Sequence, residues 1–140
     1  MLTTIPGTYI LDLEVSKRVN ISTRQLSWDL LAGFYLYFGS VRGVTSTSIQ
    51  NRIIRHFNLK KSIFWHIDYL TTHKGVILHQ AYYKTGLKNT ECQNLVNFSG
   101  EHSVRIIDKF GSSDCRNKCG GHLLYLGKLK NDLNRAFSYF

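Results

Sequence analysis

Hydrophobic runs of strand period and of helix period alternate along this chain, and they predict a mixed α/β architecture of the α+β type. Three observations carry that expectation. Two apolar runs, Thr8 to Val15 and the aromatic-dense Gly33 to Gly39, lie near each other and suit an antiparallel pair with a long connection. Helical spacing then begins near Thr47 or Ser48, either of which can cap a first turn. The resulting order is strand, strand, helix, helix, strand, helix. A chain of 140 residues with 43% apolar residues is expected to form one domain over residues 1–140.

In the first strand Ile10, Leu11, Leu13 and Val15 supply the apolar positions, with Asp12 and Glu14 expected to alternate outward. Ser16 to Ser27 is polar and reads as a loop. After the second strand, Val41 to Ser46 reads as a glycine-containing turn. The first helix carries an apolar stripe of Ile49, Ile53 and Phe57, with Arg52 and His56 one turn apart at its margin. A second helix is expected over Ile63 to Thr71, with Ile63, Phe64, Ile67 and Leu70 inward. Val76 to Tyr83 reads as a third strand. Thr90 to Phe98 reads as a helix capped by Thr90, burying Leu95 and Val96, with Glu91 in its first turn. Beyond Val104 to Ile107 comes a glycine-rich loop from Phe110 to His122, then a short strand from His122 to Leu126. Leu129, Leu133, Ala136 and Phe137 suit a closing amphipathic helix.

Lys and Arg number 18 against nine acidic residues, a formal charge of +9 and a pI near 9.6. That balance suits a polyanionic partner such as nucleic acid. The three cysteines, Cys92, Cys115 and Cys119, are an odd number and argue against a secreted disulfide framework. Met1 to Gly7 has neither a basic nor an apolar leader-like region, and the longest apolar stretch, Leu30 to Phe38, is too short to span a bilayer. A cytoplasmic protein with reduced or metal-bound thiols is therefore expected.

Chemistry is concentrated in a few residues. Gly7-Thr8-Tyr9 opens one apolar run and Tyr37-Phe38-Gly39 closes another; Arg52, His56 and Glu91 follow. Two phenols, a guanidinium, an imidazole and a carboxylate are the parts needed to cut a phosphodiester. The carboxylate holds a divalent metal, the guanidinium neutralises phosphate charge, and a phenol or imidazole moves a proton. Taken singly each has a plain structural alternative, such as a core tyrosine, a solvated arginine or a helix-start carboxylate. Cys115, Cys119 and His122, with Cys92 as a fourth donor, have the residue types of a structural zinc site, but their spacing is irregular and packed reduced thiols are the competing reading.

These motifs are similar to those of the GIY-YIG nuclease superfamily, and within it to the small stand-alone Uri-type endonucleases. The signature corresponds to Gly7-Thr8-Tyr9 and Tyr37-Phe38-Gly39, with Thr8 and Phe38 departing from the namesake residues. The run from Arg52 to His56 resembles the next block. Trp65 to Leu70 and Phe110 to Cys115 resemble the Uri-type hallmarks. One departure is the run Cys115-x-x-x-Cys119-x-x-His122, about two residues longer than the Cys-x-Cys-x-x-His of that group.

The resemblance implies a small central three-stranded antiparallel sheet flanked by helices. It implies Mg²⁺, or Mn²⁺, on Glu91, with Tyr9 at the attacking water and Tyr37 supporting it. Arg52 would contact the scissile phosphate and His56 would relay a proton or touch phosphate. It implies hydrolysis of DNA to 5′-phosphate and 3′-hydroxyl ends. Arg55, His66, Ser113 and Asp114 are candidate substrate or support residues. Arg42, Lys60 and Lys61, with Lys84, Lys88, Arg116 and Lys118, are candidates for following a nucleic-acid backbone. Exposed Tyr and Phe beside basic residues would suit single-stranded or branched DNA. Two other readings compete, a nucleic-acid-binding module without cleavage and a zinc-stabilised interaction domain.

Overall fold

The computed structural model describes residues 5–41, 48–86, 91–101, 104–111 and 119–128. Their order is β1 (Gly7–Val15), β2 (Val19–Ser22), β3 (Ser27–Leu30), β4 (Gly33–Val41), α1 (Ile49–Phe57), α2 (His66–Thr71), β5 (Val76–Thr85), α3 (Glu91–Glu101), β6 (Arg105–Ile107) and β7 (Leu123–Gly127). The α+β class holds. The expected strands are neighbours, but they lie in a five-stranded sheet of order β5-β1-β4-β7-β6, not a three-stranded one. Every pairing in it is antiparallel. The two added strands continue the sheet past β4, whose outer backbone groups would otherwise lack ladder partners.

The polar stretch after β1 is not a loop. β2 and β3 form a separate hairpin in which Val19 pairs with Leu30 and Ile21 with Trp28, all four buried. The indole N–H of Trp28 donates to the Asp108 carbonyl at 2.7 Å, fastening the hairpin to the turn after β6. Among the described residues, no helix is long and apolar enough to cross a membrane.

Both sheet faces are covered. One core joins Tyr9, Leu11, Leu13, Tyr35 and Tyr37 to Ile49 of α1, to Ile67 and Leu70 of α2, and to the β2–β3 hairpin. The other joins Ile10, Leu36 and Phe38 to Leu95 and Phe98 of α3. Asp12, expected to point outward, therefore lies fully buried on the face that also carries Ile10 and Leu36. Glu14 does reach the surface, where its carboxylate meets His79 Nε2 at 2.8 Å. Val96, expected inside, is exposed, because α3 turns Leu95 and Phe98 to the sheet instead.

Ser48 caps α1 as expected, its hydroxyl accepting from the Asn51 N–H at 3.3 Å. Helix α2 begins at His66 rather than Ile63. Its start is set by Asp68, whose Oδ2 accepts from the Phe64 and Trp65 N–H groups at 2.8 and 2.9 Å. Phe64 and Ile63 consequently precede the helix and are exposed, Phe64 by 76%. Arg55 closes a two-pronged pair on the same carboxylate at 2.8 and 2.9 Å. Lys61 sits 3.9 Å from it, while its Nζ donates to the Arg55 and His56 carbonyls at the end of α1. Burial alone would raise the Asp68 carboxyl; hydrogen bonds from Arg55, Trp65 and Phe64 outweigh it and hold the pKa below the usual range.

Removing one partner of a buried charge pair leaves the other unpaired. Asp68→Ala should therefore cost about 3 kcal/mol or more in chemical denaturation. Asp68→Asn should cost less, since a carboxamide oxygen still accepts from the two backbone N–H groups.

Candidate active site

Tyr9 of β1 stands opposite Gly39 of β4 in the antiparallel register. The Tyr9 ring lies across that position, and a Cβ on residue 39 would overlap its Cζ and hydroxyl. The glycine of the second motif is therefore the space occupied by the tyrosine of the first. Tyr37, two residues before Gly39, lies on the same sheet face, with its ring 6.5 Å from that of Tyr9 between centroids.

Helix α1 lies over this pair. Its spacing delivers His56 to the Tyr9 hydroxyl, with Nε2 2.8 Å away. His56 is 1% exposed, and its Nδ1 has no hydrogen-bond partner among the described residues. Burial, reinforced by the charge of Lys61 and opposed by Asp68, pushes the imidazole down to about 3. Burial pushes Tyr9 up to about 12, with the Arg52 guanidinium acting against it through charge and a hydrogen bond. Tyr37 is raised well above its usual value, by burial and by the charges of Tyr9 and Glu91. At neutral pH the cluster is a pair of neutral phenols against a neutral imidazole.

Arg52 and Arg55 both stack on the Trp65 ring, with Cζ 4.3 and 4.5 Å from its centroid. Their other contacts divide them. Arg55 is engaged by Asp68 and the Ser62 carbonyl, which makes it part of the α1–α2 junction. The buried Nε of Arg52 has no partner among the described residues. Glu91 opens α3 and comes from the other side of the sheet. Its Oε2 accepts from Ser40 Oγ at 2.6 Å, and its charge acts on both phenols.

Five residues expected from sequence, Tyr9, Tyr37, Arg52, His56 and Glu91, thus come from β1, β4, α1 and α3 to one neighbourhood. A family model described as Domain of unknown function DUF123 matches residues 8–140. The chain belongs to that family. No curated protein and no solved structure matches it.

Other candidates of this DUF123 chain are placed differently. Lys61, expected on the nucleic-acid path, is mostly buried and bound to helix carbonyls; burial, opposed by Asp68, lowers it to about 8. His66 is packed between Trp28 and Phe110, and its Nδ1 accepts from the Gly111 N–H at 2.8 Å, so it anchors the start of the glycine-rich loop. Lys60 and Lys84 are exposed. Arg42, Lys88, Thr90, Ser113, Asp114, Cys115, Arg116, Lys118 and the expected closing helix lie outside the described residues. Instead of free thiols, Cys92 and Cys119 are joined in a disulfide. Ser40 was not singled out by sequence; its place directly after the tyrosine-glycine motif is the only signal for it.

Glycine to alanine in a strand ordinarily stabilises. Here Gly39→Ala should instead destabilise by about 1–3 kcal/mol in denaturation, by overpacking. It should also perturb the His56 imidazole resonances as Tyr9 is displaced.

The His56 pKa implies a second outcome. Between about pH 6.5 and pH 3 the unfolded chain binds a proton here that the folded chain does not, so stability is full above this window and falls with pH inside it. The slope attributable to His56 should approach about 1.4 kcal/mol per pH unit. Denaturation series on His56→Gln should show a correspondingly flatter profile.

Proposed function

We propose that this chain is a metal-dependent endonuclease of the GIY-YIG type, hydrolysing phosphodiester bonds in DNA with a preference for single-stranded or branched substrates. The observation that carries this reading is the convergence of Tyr9, Tyr37, Arg52, His56 and Glu91. The half-buried Glu91 carboxylate, oriented by Ser40, fits a divalent ion whose other positions are filled by water and phosphate oxygens. Mg²⁺ or Mn²⁺ bound at Glu91 would neutralise phosphate charge and favour ionisation of water.

The chain's own residues account for the remaining chemistry. The Arg52 guanidinium, whose Nε has no partner among the described residues, would donate to a non-bridging phosphate oxygen. Trp65 stacking keeps that guanidinium in place. Two arrangements of the Tyr9–His56 bond exist, because either group can be the donor. A relay uses the one in which the phenol donates. Tyr9 takes a proton from the attacking water as its own proton passes to His56 Nε2. The hydroxide then attacks phosphorus in line, and the 3′ oxygen leaves with the bonding electrons and takes up a proton from solvent, giving the 5′-phosphate and the 3′-hydroxyl. An incoming phosphate favours the protonated imidazole by its negative charge, opposing the burial and the Lys61 charge that keep His56 neutral. Exposed Phe57 and Phe64, near the exposed Lys60, offer stacking surfaces for unpaired bases.

A second reading, a nucleic-acid-binding module without cleavage, has its own support. Both phenols are buried, and the Tyr9 hydroxyl is already satisfied by His56.

Cleavage of labelled single-stranded, duplex and branched DNA and of RNA in Mg²⁺, Mn²⁺ or EDTA separates the two. The nuclease reading expects metal-dependent cutting that Glu91→Ala and Arg52→Ala each reduce by about 10²-fold or more. Salt-sensitive binding without cutting in any metal would leave only the module. Unchanged cutting by Glu91→Ala would remove that residue from the metal site.

A further inference from the structure

We propose that in the reduced chain Cys92, Cys119 and His122 form a binding site for a soft divalent cation of the zinc class. Their donor atoms lie within 4.8 Å of one another. Cys92 and His122 are buried and Cys119 is half-buried, so the site is largely shielded from solvent. His122 Nε2 is 3.2 Å from Cys92 Sγ. Zinc holds sulfur at ~2.3 Å and imidazole nitrogen at ~2.0 Å, so the edges of its tetrahedron are roughly 3.5–3.8 Å. An ion is therefore accommodated by a spread of a few tenths of an ångström at the nitrogen and by opening the sulfur pair.

The donors are brought together by the fold itself. Cys92 is in the first turn of α3, a helix seated on the sheet by Leu95 and Phe98. His122 precedes β7, and its backbone is held at both ends: its N–H donates to the Phe110 carbonyl at 2.7 Å, and its carbonyl accepts from the Phe38 N–H at 2.9 Å. Its neighbour must be Gly121, since a Cβ there would overlap the Ile107 carbonyl oxygen. Two thiolates and an imidazole select zinc over the hard, oxygen-seeking Mg²⁺, so this site is chemically distinct from a carboxylate at Glu91. The ion would fasten α3 to the start of β7.

The disulfide between Cys92 and Cys119 is the alternative state of the same atoms, with Cα atoms 5.8 Å apart. Metal and disulfide exclude each other. When a small-molecule disulfide oxidises the site, the two thiolates form the Cys92–Cys119 bond and give two electrons to the reagent. The reagent takes up two protons and leaves as two thiols, and the cation is released.

The full chain, reduced and kept free of oxygen, should bind one equivalent of zinc by elemental analysis. Cobalt(II) in its place should give a thiolate-to-cobalt charge-transfer band and the strong visible absorption of a tetrahedral site. Excess oxidised glutathione should release the metal. Cys92→Ser and His122→Asn, each checked for folding by circular dichroism, should lose the band or shift it. Substoichiometric binding by the reduced chain overturns the proposal, as does equal loading of the disulfide form. An unchanged cobalt spectrum in either folded variant does the same. Should the variants not fold, the reduced and oxidised wild-type spectra decide the matter. None of these readouts involves nucleic-acid cleavage.

Discussion

The packing of the Tyr9 ring across Gly39 is the constraint on which the candidate site rests. It requires β1 and β4 to pair in one antiparallel register, because a shift by one residue would turn Tyr9 to the opposite face. It requires residue 39 to lack a side chain. Once both hold, the phenol reaches outward beneath α1, and His56 meets its hydroxyl. Tyr37 then joins the cluster by strand period alone, two residues before the glycine and on its face.

Around that contact, buried charge is handled in two ways. Asp68 keeps its charge because three side-chain and backbone donors enclose it, which ties the end of α1 to the start of α2. His56 gives its charge up, because burial and the neighbouring Lys61 both disfavour the imidazolium. The two arrangements are coupled through Arg55 and Lys61. These side chains fix the helix that presents Arg52 and His56, rather than extending toward a ligand. In the same way His66 positions the glycine-rich loop through the Gly111 N–H, and Ser40 positions Glu91. Much of the polar chemistry near the site therefore supports other residues.

Local signals in the sequence were readable where neighbouring residues decide the outcome. The β1 and β4 runs and the presence of the three helices follow from period, and the start of α1 follows from the Ser48 cap. Sequence and structure part where distant partners decide. The β2–β3 alternation of Val19, Ile21, Trp28 and Leu30 is short and set among polar residues, and becomes visible as structure only against the core it covers. Ile63 and Phe64 look like inward helix positions, yet Asp68 starts the helix after them. Asp12 fits an outward alternation, which a sheet covered on both faces does not provide.

The sequence by itself determined the class of fold, the spacing of Arg52 and His56 on one helix, and the tyrosine-glycine pairs, because these depend on periods of two and 3.6 residues and on steric allowances within a few positions. The tertiary structure alone decided which arginine is held by Asp68 and which has an Nε without a partner among the described residues, that the Lys61 side chain is mostly buried, and that Cys92, Cys119 and His122 meet. Those outcomes depend on burial and on contacts between residues far apart in the chain. No local period encodes them.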